Sequence, residues 1–251
     1  MTKKLSMGIV LQIDPKQPMA SFDGRLWDRV FQLAAWEDMP IVVNGNNENT
    51  SEAYKQVLHD ETILERAIFY TEKHSARLYV LNVSTQHEMN LINEARERTL
   101  LVYAETTPQH LFQEDAIQAD LLWQAVKQKK IETIGSGYNA DDQGKQRILF
   151  QGGNFSLSDP GFLLPQLLNA HHEGKISLER LVETTRFNIN ELFRIERNAD
   201  LVLVDMEKEQ TIQVTDGKTP KERKLKGWPV YTILKGEVFT HPKTGYNLVK
   251  E

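Results

Sequence analysis

The side chains that could ligate a metal or move a proton are seven histidines and 35 acidic residues; the 251-residue chain contains no cysteine. Thiolate zinc sites, disulfides and cysteine nucleophiles are thereby excluded, which fits a reducing, cytoplasmic setting. The remaining options are imidazole–carboxylate metal chemistry and acid–base catalysis. The histidines stand at 59, 74, 87, 110, 171, 172 and 241. His171 and His172 are adjacent on a helical pattern and point in different directions, whereas metal-binding helical pairs prefer i, i+4 spacing. They read as surface residues. His59, His74 and His87 fall in helical or loop contexts and read as solvated. Asp14, Glu105 and Asp141 are the acids near strand ends, with no base–nucleophile pair apparent around them. Ser84-Thr85 followed by Glu88 reads as a helix capping box rather than a nucleophile. Gly152-Gly153 follows a polar stretch but lacks the rest of a phosphate-binding loop.

The elements that would position these residues alternate in type. Strand patterns at Leu5–Ile13, Pro40–Asn44, Arg77–Val83, Leu100–Glu105 and Ile131–Gly135 are separated by helical patterns. In the first helix, Asp23–Trp36, the spacing puts Leu26, Val30, Leu33 and Ala34 on one face. This β-α alternation predicts an α/β fold with a parallel sheet, whose carboxyl ends hold functional residues in such folds. Those ends are Asp14, Asn44, Asn82, Glu105–Thr107 and Ser136–Asn139. Gly135–Asp159 reads as a long loop. Pro160–His172, Ser177–Arg186 and Ile189–Ile195 read as three helices. Short β runs follow at Leu201–Val204, Thr211–Val214, Val230–Leu234 and Glu237–Thr240, with Lys235-Gly236 as a hairpin turn and the basic Lys218–Lys226 as a solvated loop. A net charge of −5 argues against a nucleic-acid partner, and no apolar run is long enough to span a membrane. Met1–Met7 lacks the apolar core of a secretory signal.

Several segments together resemble the dihydroorotase branch of the cyclic amidohydrolases. RLYVLNVSTQHEMNLI (Arg77–Ile92) is similar to the strand and helix around that family's H-V-S-T. ETTPQHL (Glu105–Leu111) is similar to its T-P-x-H-L, and Leu122–Ser136 to the elements before its S-D-H-A-P-H. Pro165–Phe193 resembles the closing helices; Ala199–Asp205 and Gly227–Val238 resemble the C-terminal β extension. The resemblance implies a partial (β/α)8 TIM-type barrel of about five parallel strands, equivalent to the family's strands 4–8, over 1–198, with a small β extension over 199–251.

The resemblance also implies a two-zinc centre that polarises a cyclic amide carbonyl and supplies hydroxide. Carried over residue by residue, the ligand set is missing. The bridging lysine of G-[IV]-K corresponds to Val10, the histidine of H-A-E-D-E to Asn44, and that of H-V-S-T to Asn82. The aspartate of S-D-H-A-P-H corresponds to Gly137 and its next histidine to Tyr138. His110 matches a position that is not a ligand. The H-x-H strand and the N-P-P-[IL]-R substrate segment have no counterpart. The expectation is a catalytically inactive protein without zinc or other cofactor, with Asn44, Asn82 and Tyr138 lining the vacated site. Its expected role is a structural or interaction subunit, with a pyrimidine-biosynthesis assembly as the partner the resemblance suggests. The open barrel edges are expected to be covered by self-association or by a partner protein. Three alternatives stay open: a cyclic-amide hydrolase completed by another chain, a small-molecule binder with a remodelled pocket, and a folded relic without a role.

Overall fold

The computed structural model describes residues 8–11, 23–44, 62–138, 154–155, 158–195, 200–214, 221–240 and 249–250. Asp14, His59, Asn139, Asp141, Gly152-Gly153 and His241 lie outside them. The chain forms two compact units, Met1–Ile134 with Glu183–Ile195, and Gly135–Val182 with Glu196–Glu251.

The first unit is built on β1 (Ile9–Leu11), β2 (Pro40–Asn44), β3 (Arg77–Leu81), β4 (Leu101–Thr106) and β5 (Thr133–Ile134), adjacent in that order and all parallel. Helices α1 (Gly24–Trp36), α2 (Ile63–His74), α3 (Gln86–Glu97), α4 (Pro108–Leu111) and α5 (Ala116–Lys127) fill the connections. This is the α/β pattern of a partial (β/α)8 barrel. Because side chains alternate across a strand, the sheet has two chemically distinct faces. Ile41, Val43, Leu78, Val80, Val102 and Ala104 are buried on the face that the long helices cover. Val42, Tyr79, Leu81 and Tyr103 share the opposite, inner face, where Leu192 and Phe193 pack on them.

The helix starts follow local chemistry. Thr62 with Glu65, and Thr85 with Glu88, form reciprocal capping boxes at α2 and α3. Asp23 and Asp115 cap α1 and α5 through their carboxylates. In α1 the buried side chains are Trp27, Phe31 and Ala34; of the expected face only Ala34 is buried, and Leu26 and Leu33 are exposed. The helix carries two apolar stripes, and the one with the larger aromatic rings faces the core. There Trp27 stacks on Phe31 and both rings pack at a tilt against Tyr70 of α2, at centroid distances of 5.6–5.9 Å.

The two helices expected over 177–195 are one continuous run: α7 (Leu178–Val182), a π-helical turn (Glu183–Phe187) and α8 (Asn188–Phe193). In the second unit, β6 (Asn154–Phe155), β7 (Leu201–Val214), β8 (Lys221–Leu234), β9 (Glu237–Thr240) and β10 (Val249–Lys250) form a sheet in the order β10-β9-β8-β7-β6. β7 and β8 are each 14 residues long. The short runs expected in β7 are thus one strand with register shifts, and Lys221–Lys226 is strand rather than loop. Its alternation was masked by charge: only Leu225 of that stretch is buried, where it joins Ile212, Val214, Trp228 and Phe162 of α6 (Pro160–His172). Lys235 and Gly236 both have positive φ, as a two-residue hairpin turn of the primed type requires. Gly227, at φ +94°, lets the strand approach α6; a Cβ there would lie 2.7 Å from the Leu168 Cβ.

Candidate functional site

Asn44 ends β2 and Asn82 follows β3 directly. Asn82 holds φ +57°, a left-handed conformation that asparagine tolerates better than most side chains. This turn aims its side chain across the strand ends, and its amide nitrogen donates to the Asn44 Oδ1 at 3.2 Å. The turn is pinned from below. The Val83 amide donates to the Glu105 carbonyl at 2.8 Å, and the Thr106 hydroxyl donates to the Val83 carbonyl at 2.8 Å. Glu88 Oε2 then accepts from the backbone N–H and hydroxyl groups of both Ser84 and Thr85 at 2.9–3.2 Å. The strand end that positions Asn82 is therefore held by buried hydrogen bonds.

Below the asparagines, the inner face carries a polar cluster that the sequence reading missed. The Tyr79 hydroxyl donates to Glu105 Oε2 at 2.6 Å and lies 2.7 Å from Thr133 Oγ1. Burial pushes the Tyr79 phenol far above its usual range, with the Glu105 charge adding to it. Burial also raises Glu105, and the Tyr79 hydroxyl offsets part of that rise. Glu105 thus has a partner after all, but the pair is not a base with a nucleophile. A phenol held neutral keeps its proton and serves as a donor. The parallel register was the available signal, since Tyr79 is opposite Tyr103, two residues before Glu105 on the same face.

The other sequence-selected residues are placed as follows. Tyr138 belongs to the second unit, is 42% exposed, and its amide donates to the Ser136 hydroxyl at 3.2 Å. Gly137 has φ +71°. Val10 is 66% exposed on β1. His87 is exposed. His74 is not solvated as expected: its ring bonds Asp28 at 2.8 Å. His171 bonds the Ile176 carbonyl and His172 the Met206 carbonyl, each at 2.9 Å, so both act as tethers within the second unit. A groove of about 150 Å³ lies between α3 and α5, on the helix-covered side of the sheet.

These residues do not fit a two-zinc centre. Zinc needs anionic or imidazole donors. Val10 and Gly137 offer none, Asn44 and Asn82 offer neutral amides, and the Asn44 oxygen already accepts the Asn82 N–H. Among the described residues no three His, Asp or Glu side chains converge as a metal group.

No family model matches the chain. The relatives it matches include dihydroorotases and hydantoinases, at low identity. The L-hydantoinase of Paenarthrobacter aurescens is 24% identical over 271 residues, covering 86% of this chain and 59% of its own length. The dihydroorotase of Anoxybacillus flavithermus is 26% identical, covering 85% of this chain and 61% of the relative. The chain therefore spans about three-fifths of the length of these curated relatives. Solved structures share the fold. The L-hydantoinase (dihydropyrimidinase) from Arthrobacter aurescens superposes with a TM-score of 0.69 at 22% identity, covering 97% of this chain and 66% of that one. An inactive dihydroorotase-like domain of the Chaetomium thermophilum CAD-like multifunctional protein does so at 0.57 and 18% identity, covering 84% of this chain and 70% of that one. Among the described residues no helix is long and apolar enough to cross a membrane.

Proposed function

We propose that this chain is a metal-free, catalytically inactive dihydroorotase-like protein that serves as a structural or interaction subunit. The observation that carries the reading is the Asn44–Asn82 amide pair, 3.2 Å apart, at the strand ends where the family resemblance places histidine ligands. A pair of neutral amides neither binds zinc tightly nor lowers the pKa of a water molecule. The Tyr79–Glu105–Thr133 cluster supports the reading from below, because its polar groups are spent on one another. One of the solved structures with a similar fold is described as an inactive dihydroorotase-like domain. In this reading the protein is cytoplasmic, and its partner is a second copy or a protein of a pyrimidine-biosynthesis assembly that covers the sheet edges.

The test is hydrolysis of dihydroorotate and of hydantoin by the full chain, with and without added zinc. The reading expects no turnover above the buffer control in either condition. Zinc-dependent turnover abolished by a chelator overturns it.

A further inference from the structure

Two leucines of the face that the helical spacing singled out in α1 are left out of the core, and Trp36 stands beside them. Leu26 is 46%, Leu33 52% and Trp36 85% exposed, along one side of a 13-residue helix about 20 Å long. The other three tryptophans, Trp27, Trp123 and Trp228, are buried. A large exposed aromatic flanked by leucines is the composition of an interface anchor rather than of a solvated helix face. The charges around the stripe are arranged by end. Arg25 and Arg29 stand in the N-terminal half and Glu37 caps the C-terminus. Asp28 is turned away, bonded to Lys73 and His74 of α2.

We infer that this face of α1 binds the same face of a second copy of the chain, the two helices running antiparallel about a two-fold axis. The stripe is complementary to itself in that arrangement and in no parallel one. With the axis at the level of residue 31, Leu26 meets Trp36 of the other copy, Arg29 lies over Leu33, and Arg25 faces Glu37. Each contact occurs twice, as an isologous interface demands. A parallel pair would set Arg25 against Arg25 and Glu37 against Glu37. The contact area of one helix pair is at the small end of specific interfaces, so the dimer is a weak, concentration-dependent one. The inference deepens the proposed interaction role by naming the partner, and it stands on α1 alone whether or not the chain hydrolyses anything.

Sedimentation velocity of the full chain up to about 100 µM is expected to show a monomer–dimer equilibrium. Trp36→Glu and Leu33→Asp, both at exposed positions, abolish the dimer while leaving the thermal unfolding profile unchanged. Arg25→Glu weakens dimerisation about 10-fold, and combining it with Glu37→Arg restores it, because the swap re-forms both cross-axis pairs. Trp36 also reports directly: acrylamide quenches it in the dilute monomer and is excluded from it in the concentrated dimer. A chain that stays monomeric throughout, or a dimer indifferent to Trp36→Glu and Leu33→Asp, overturns the inference. Either result leaves the zinc and hydrolysis tests of the proposed function standing, so the two failures are distinguishable.

Discussion

Replacing Tyr79 by phenylalanine removes one oxygen and leaves the ring in place, edge-on to Phe193 at 5.0 Å and packed with Leu192. The loss is the 2.6 Å hydrogen bond to Glu105 and the 2.7 Å contact with Thr133. A hydrogen bond to an ionised partner contributes about 1.5–3 kcal/mol, and one to a neutral partner about 1 kcal/mol. Glu105 is raised by burial, so the folded chain binds this proton more tightly than the unfolded chain does. The sign follows from linkage. Burying Glu105 costs nothing below the ordinary carboxylate value of about 4.3, and destabilises increasingly as pH rises from there through the raised folded value. Loss of the Tyr79 donor raises that value further. Tyr79→Phe is therefore expected to cost about 2 kcal/mol at pH 8, roughly 4–8 °C in Tm, and about half as much at pH 4.5. Urea denaturation at the two pH values measures both. In a Glu105→Gln background the pH dependence of the Tyr79→Phe effect should vanish, which a double-mutant cycle reads directly. A cost below about 0.5 kcal/mol at pH 8, or one equal at both pH values, refutes the reasoning.

Gly227→Ala combines a φ of +94° with a Cβ 2.7 Å from that of Leu168 and is expected to destabilise the second unit by about 2–3 kcal/mol in urea unfolding. Gly236→Ala has a φ of +85° but nothing within 4 Å, so it should cost only the backbone share, about 1 kcal/mol; equal costs would contradict the assigned clash. Glu88→Ala strips one carboxylate oxygen from the backbone and hydroxyl groups of Ser84 and Thr85 and should cost about 2 kcal/mol. Hydrogen exchange at the Ser84 and Thr85 amides should rise with it, and unchanged protection there would argue against the cap.

The order of the sheet was legible because parallel strands buried on both faces read as short apolar runs, as in PIVVN and RLYVL. The capping box at Thr85 and the hairpin at Lys235-Gly236 were legible because each is local. What escaped was what depends on a neighbour. Apolar spacing in α1 fits either of two stripes, and only the packing of Tyr70 against Trp27 and Phe31 selects one. The lysines and arginine of β8 hid a strand because its exposed face is charged, which an isolated window reads as loop. Asn44 and Asn82 were found from their strand-end positions, but not their mutual bond, which joins residues 38 positions apart. Tyr79 was passed over as a strand residue; its partner Glu105 is 26 positions away, and burial of the pair gives it its chemistry.

The central claim is that the strand ends hold no zinc site. Elemental analysis of the full chain, expressed with zinc in the medium and passed over a desalting column without chelator, tests it most directly. The account predicts zinc far below one ion per chain, unchanged in Asn44→Ala and Asn82→Ala. Close to two zinc ions per chain, lost in either variant, would contradict it.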